Sequence, residues 1–129
     1  MQPIVVGPIT LEQVKRFADL SGDRNAIHLD AEVARRAGLA GPPVYGMQLV
    51  AYMHGAAKRF RPDMAVRSLS TRFLAPVAVG DCVEISGRVV KDDPAAGTAV
   101  LRLFLKTSGG SLASLGEAVL VARDGDSPL

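Results

Sequence analysis

Apolar positions along the chain change period near its middle, which divides the sequence into two unlike halves. Residues 10 to 60 carry helical spacing and residues 65 to 123 carry strand-like alternation, an order that predicts an α+β domain. Thr10 and Gln13 have capping-box spacing, and Leu11, Val14, Phe17 and Ala18 then recur on one helical face until Ser21-Gly22 ends the helix. Asp30 is set to cap a shorter helix, with Glu32 in its first turn, Arg35 and Arg36 in its last and Gly38 beyond it. After the extended Gly41-Pro42-Pro43 turn, residues 46 to 60 form a third helix, uncharged from Met47 to Ala57 apart from any proton on His54. Such an apolar helix is expected to be enclosed by protein.

Four strands are predicted at 66–74, 83–91, 98–106 and 111–123. Arg67, Leu69, Thr71 and Phe73 share one side of the first, and Val83, Ile85 and Val89 share a face of the second. Turn signals at Gly80-Asp81, Asp92 to Gly97 and Ser108-Gly109-Gly110 favour an antiparallel meander. One such sheet and one enclosed helix imply a sheet wrapped around that helix.

Composition narrows the field. A chain of 129 residues, 48% hydrophobic, fits one domain spanning 1–129 and is not disordered. The lone Cys82 excludes an intramolecular disulfide and a cysteine zinc cluster, and is read as a buried structural thiol. Fifteen basic against thirteen acidic residues leave a formal charge of +2, a poor basis for nucleic-acid or membrane binding. No apolar run is long enough to span a bilayer, and MQPIVVGPIT lacks the features of a signal peptide, so a cytoplasmic location is expected. A domain this small has little room for a deep pocket of its own.

The densest chemistry lies in Leu20-Ser21-Gly22-Asp23-Arg24-Asn25-Ala26-Ile27-His28. A compact loop there can turn Asp23 and His28 into one pocket, where a carboxylate and an imidazole sharing a water perform general acid–base chemistry. Asn25 can support the loop through backbone bonds, although Asp and Asn after Gly are also ordinary turn residues. Gly46 stands at the predicted start of the third helix, where backbone N–H groups lack intrahelical acceptors. It is either an oxyanion donor to a carbonyl or simply the residue a tight turn requires. Two ligands without a nearby Cys, Glu or second His make a metal site an unattractive reading, since His54 would have to supply a third.

The run FADLSGDRNAIHLDAEVARRAGLAGPPVYGM resembles the signature region of the MaoC-like dehydratases, which include the (R)-specific enoyl-CoA hydratases. Phe17, Ser21, Gly22, Asp23, Asn25, His28 and Gly46-Met47 match that pattern, and SLSTRFLAPVAVGDCVEISGRV is similar to its strand-turn-strand segment. The resemblance implies a hot-dog fold, an antiparallel sheet wrapped around a long central helix and dimerised through edge strands. It implies Asp23 and His28 as the catalytic pair, Gly46 N–H as oxyanion donor and Asn25 as loop support. Two positions depart from the family: Ala26 stands where proline is usual, and Tyr45 where histidine is common.

The activity so implied is (R)-specific hydration of trans-2-enoyl thioesters, carried by coenzyme A or acyl carrier protein, or the reverse dehydration. It calls for no metal or redox cofactor. The alternatives are a hot-dog thioesterase, with Asp23 directing water at the carbonyl, and a non-catalytic partner subunit of a hydratase. Tyr45 is a candidate for shaping the acyl or pantetheine channel or for marking a changed substrate, against the plainer expectation of a partly buried loop tyrosine. His54 is a candidate for the site mouth or the subunit interface, against the plainer expectation of an enclosed histidine. Lys58, Arg59 and Arg61 can attract coenzyme phosphates or simply complement the helix dipole. A homo-oligomer, in the first instance a homodimer, is the expected assembly.

Overall fold

The computed structural model describes residues 1–123. Helix α1 (Leu11–Ser21) starts as its capping box dictates, with the Thr10 N–H donating to Gln13 Oε1 at 2.9 Å and the Gln13 N–H to Thr10 Oγ1 at 3.2 Å. It stops at Gly22, whose φ of 78° is the left-handed conformation glycine adopts without strain. Helix α2 (Ala31–Arg36) is capped by Asp30, whose Oδ1 accepts from the Glu32 and Val33 N–H groups. Helix α3 spans Gly46–Phe60, the predicted range.

Strands β1 (Ile4–Val6), β2 (Met64–Phe73), β3 (Val83–Asp93), β4 (Thr98–Thr107) and β5 (Leu112–Ala122) form one antiparallel sheet in the order β1-β3-β4-β5-β2. The meander expected for all four predicted strands holds only for β3-β4-β5. Instead of pairing with β3, β2 lies on the far side of β5, and residues 74–82 carry the chain from there back to β3. That return is tied to the segment before α3: the Val44 N–H donates to Val77 O at 2.7 Å and the Val79 N–H to Pro42 O at 2.9 Å.

The core lies between α3 and the inner sheet face, where Met53, Ile85, Leu101, Leu103 and Leu105 are fully buried. Gly116 on β5 is required by close approach, since a Cβ there would stand 2.5 Å from Met53 Cε. On β2, Leu69, Thr71 and Phe73 face the same way opposite Ala118, Gly116 and Ser114, but a bulge between Val66 and Ser68 removes Arg67 from that row. On β3, Val83 and Ile85 are buried while Val89 is left 36% exposed.

Helix α3 departs from the expectation that it is enclosed. The sheet covers the face holding Leu49, Met53, Ala56 and Ala57, while Met47, Ala51 and His54 are exposed on the opposite face. Among the described residues, no helix is long and apolar enough to cross a membrane.

Candidate active site

The loop from α1 to α2 is organised by short polar side chains that take over from backbone pairing. The Asp23 N–H donates to Ser21 Oγ at 3.2 Å, the Asn25 N–H to Asp23 Oδ1 at 3.1 Å, and the Ile27 N–H to Asn25 Oδ1 at 3.1 Å. The last bond caps a single 3₁₀ turn, Ala26–His28, which delivers the imidazole. The Asp23 carboxylate is therefore fixed through one oxygen and otherwise exposed, whereas His28 is half-buried. Arg24 is drawn aside by Asp19, at 2.6 Å, in an exposed ion pair.

His28 Nδ1 lies 2.7 Å from the Pro43 carbonyl oxygen. A carbonyl can only accept, so Nδ1 carries the proton and donates, and in the neutral ring the Nε2 lone pair is left free. The imidazole is stacked on Tyr45, with ring centroids 3.9 Å apart and 24° between the planes. Phe17 packs on Tyr45 as well, at 5.0 Å.

Tyr45 is 3% exposed, and its hydroxyl donates to the Asp23 backbone carbonyl at 2.6 Å. Burial, and then the Asp23 carboxylate, push the phenol pKa above its ordinary value, so the hydroxyl keeps its proton at neutral pH. Tyr45 is thus a buried loop tyrosine, as the plainer expectation had it, and it does not line the cavity beside Gly46. Its ring and its hydroxyl are both committed to the Asp23–His28 loop.

Gly46 follows directly as the first residue of α3, and the N-cap Tyr45 offers no side-chain bond to the first-turn N–H groups. Beside it opens a cavity of about 330 Å³ lined by Gly46, Leu49, Val44, Phe73, Leu74 and neighbouring residues of the 74–82 return. The Phe73 ring closes on Gly46 so tightly that an added Cβ would be 3.0 Å from Cζ. An apolar pocket with helix-terminal amides at its mouth is suited to an acyl chain whose carbonyl must be polarised. A larger depression, about 500 Å³, lies along β2, β4 and β5 over Ser70, Arg72, Arg102 and Glu117. It holds none of the groups above and is crossed by a half-exposed Arg102–Glu117 pair at 3.4 Å, so the smaller cavity is the one the chemistry favours.

The remaining candidates fall outside this cluster. His54 is exposed, about 12 Å along the helix axis from Gly46, and is neither enclosed nor brought to the site. Cys82 is half-buried instead of buried, and its backbone is held by Ser108 Oγ. Lys58 and Arg59 are exposed, while Arg61 is bound to Asp63 at 2.9 Å. Two site components had no sequence signal of their own, the Pro43 carbonyl and the Phe73 ring against Gly46.

A five-stranded antiparallel sheet over one long helix, with the Asp23–His28 loop tied through Tyr45 and Pro43 to the segment that starts that helix, defines a hot-dog domain. The chain belongs to the MaoC-like domain family, whose pattern matches residues 4–102. An (R)-specific enoyl-CoA hydratase of Aeromonas caviae is 37% identical over 112 residues, which are 84% of this chain and 82% of that protein. The solved structure of the A. caviae (R)-hydratase involved in PHA biosynthesis matches with a TM-score of 0.85 and 31% identity, covering 95% of both chains. A mitochondrial 3-hydroxyacyl-[acyl-carrier-protein] dehydratase of Arabidopsis thaliana is 36% identical over 78 residues, 60% of this chain but only 46% of that protein.

Proposed function

We propose that this protein is a lyase that adds water to trans-2-enoyl thioesters to give (R)-3-hydroxyacyl thioesters, and runs the reverse dehydration, on coenzyme A or acyl carrier protein. The observation that carries this reading is His28. Its Nδ1 is held by Pro43 O at 2.7 Å, so in the neutral ring the lone pair is on Nε2, and the ring stacks on Tyr45, the residue before Gly46. In the hydration direction the thioester oxygen accepts from the Gly46 N–H, which draws electrons from the double bond and makes C3 electrophilic. A water shared by Asp23 and His28 attacks C3 as Nε2 takes one of its protons. The Asp23 carboxylate accepts a hydrogen bond from the other water hydrogen, which stays on the oxygen as the new 3-hydroxyl. The enolate then collapses as the proton passes from His28 to C2, and the site returns to its starting state. Asn25 keeps the loop in register. The reaction requires no metal or redox cofactor in this scheme, because the thioester itself acidifies C2.

The same reading assigns a cytoplasmic homodimer. Strand β2 is an open ten-residue edge, and Met47, Phe73 and Leu74 beside the cavity are 64%, 50% and 49% exposed. A second copy laid along β2 and the open face of α3 would cover these side chains and lengthen the acyl channel. The test is to incubate the protein with trans-2-enoyl-CoA esters of several chain lengths and follow loss of the conjugated-thioester absorbance, with free thiol measured in parallel. Absorbance loss without thiol supports hydration, and thiol release points to a thioesterase. Silence in both, on either carrier, overturns the catalytic reading.

A further inference from the structure

We infer that Tyr45 is a positioning residue, clamping the backbone of Asp23 and the ring of His28 to the start of α3 so that both stay in register with the Gly46 N–H. The inference rests on the hydratase reading above and deepens it. Three contacts made by one buried side chain carry it. The hydroxyl donates to the Asp23 carbonyl at 2.6 Å, across 22 positions of sequence. The ring stacks on His28 at 3.9 Å. The backbone of the same residue is the N-cap from which Gly46 begins α3.

Without this side chain the Asp23–His28 loop is tied to the α3 start by one identified bond, His28 Nδ1 to Pro43 O. Its other bonds are short-range ones within the loop, from Ser21, Asp23 and Asn25 side chains. These shape the loop but do not by themselves locate it against the helix; a stiffer loop would carry the constraint of the His28–Pro43 bond on to Asp23. The hydroxyl tie supplies that location, and a reacting pair displaced by a fraction of an ångström loses rate without losing substrate affinity.

The loop itself offers a compensating change. Ala26 is exposed and opens the 3₁₀ turn, where no intrahelical acceptor exists for its N–H. Asn25 before it has φ −58° and ψ 125°, the conformation a residue preceding proline adopts. Ala26→Pro is therefore compatible with the fold and stiffens the same loop by a separate route.

The experiment uses Tyr45→Phe, which keeps the stack and removes only the hydroxyl, alone and with Ala26→Pro. The expected result is a kcat about tenfold lower with KM within about twofold of wild type, and severalfold recovery of kcat in the double variant. Amide exchange at His28, whose N–H donates to Asn25 O at 3.1 Å, should quicken severalfold in Tyr45→Phe and slow again with Ala26→Pro. A Tyr45→Phe kcat within twofold of wild type overturns the inference. So does a lower kcat with unchanged His28 exchange, or a double variant no faster than the single one. Exchange needs no substrate, so in a protein without hydratase activity it decides alone: quickened exchange supports the clamp and unchanged exchange overturns it.

Discussion

Gly46→Ala separates a site role for this residue from a packing role. A Cβ built there lies 3.0 Å from Phe73 Cζ and 3.3 Å from both Cε atoms. Carbon atoms rest comfortably at about 3.5–4.0 Å, so one partner must retreat by roughly 0.5 Å. Phe73 is 50% exposed on an edge strand and is the softer partner. Its movement costs little, and the substitution regains about 0.5–1 kcal/mol from the lower backbone entropy of alanine. Stability should therefore hold, with Tm within about 3 °C of wild type.

Catalysis faces a stricter tolerance. The oxyanion must sit about 2.7–3.1 Å from its donor, and the new methyl group shares the cavity mouth with that position. Alanine keeps the N–H, so the loss comes from the methyl pushing the carbonyl off that distance; a misplacement of about 1 Å costs roughly 10²-fold, which corresponds to about 2.7 kcal/mol of transition-state stabilisation. The enoyl-CoA absorbance assay together with a thermal melt should show kcat/KM down about a hundredfold in a protein that melts normally. A kcat/KM within threefold of wild type, with an unchanged Tm, refutes the assignment of the carbonyl to this amide.

Asp23→Asn and His28→Ala should each lower kcat by about 10²–10⁴-fold in the same assay, and wild-type turnover in either removes that residue from the mechanism. Asp23→Asn keeps an oxygen for the Asn25 N–H, so its Tm should move little, as a melt will show. Gly116→Ala drives a methyl to 2.5 Å from Met53 Cε and should cost about 1–3 kcal/mol, read as a Tm lowered by several degrees; an unchanged Tm contradicts the packing described. Alkaline unfolding tests Tyr45. Its pKa is raised in the fold, so the phenol's contribution is full below the unfolded value near 10 and is lost as pH rises through the folded value. Denaturant titrations above pH 10 should show wild type losing stability more steeply than Tyr45→Phe.

The elements that could be read from sequence are those whose boundaries are set by neighbours along the chain. Thr10 with Gln13, Gly22 and Asp30 satisfy or release backbone groups within a few positions, so α1 begins and ends, and α2 begins, where those residues dictate. Strand pairing depends on distant partners. Nothing local to residues 64–73 says whether the neighbour is β3 or β5, and a meander is only the shortest solution. The β2 bulge at Arg67 is invisible for the same reason: alternation predicts a face, but the partner strand decides where the alternation slips. β1, at three residues, is too short to show a period and exists because β3 offers it an edge.

The site was legible as residue types and illegible as geometry, and its two long-range ties explain why. Both end on backbone oxygens, Pro43 O for His28 and Asp23 O for Tyr45. A carbonyl is present whatever side chain occupies the position, so no residue identity marks it as an acceptor. The sequence therefore offers Tyr45 as a channel residue or a partly buried loop tyrosine, and nothing in it shows that the hydroxyl is spent on the Asp23 carbonyl. His54 failed for a different reason. Eight residues after Gly46 is two turns along the helix, but at 100° per residue it is also about 80° around it. Gly46 lies at the margin of the packed face, against Phe73, and that further rotation carries His54 past the margin into the exposed row with Met47 and Ala51. The packed positions Leu49, Met53, Ala56 and Ala57 define the covered arc only once the sheet is in place, because a helix uncharged from Met47 to Ala57 marks no face in its sequence, and His54 falls outside that arc.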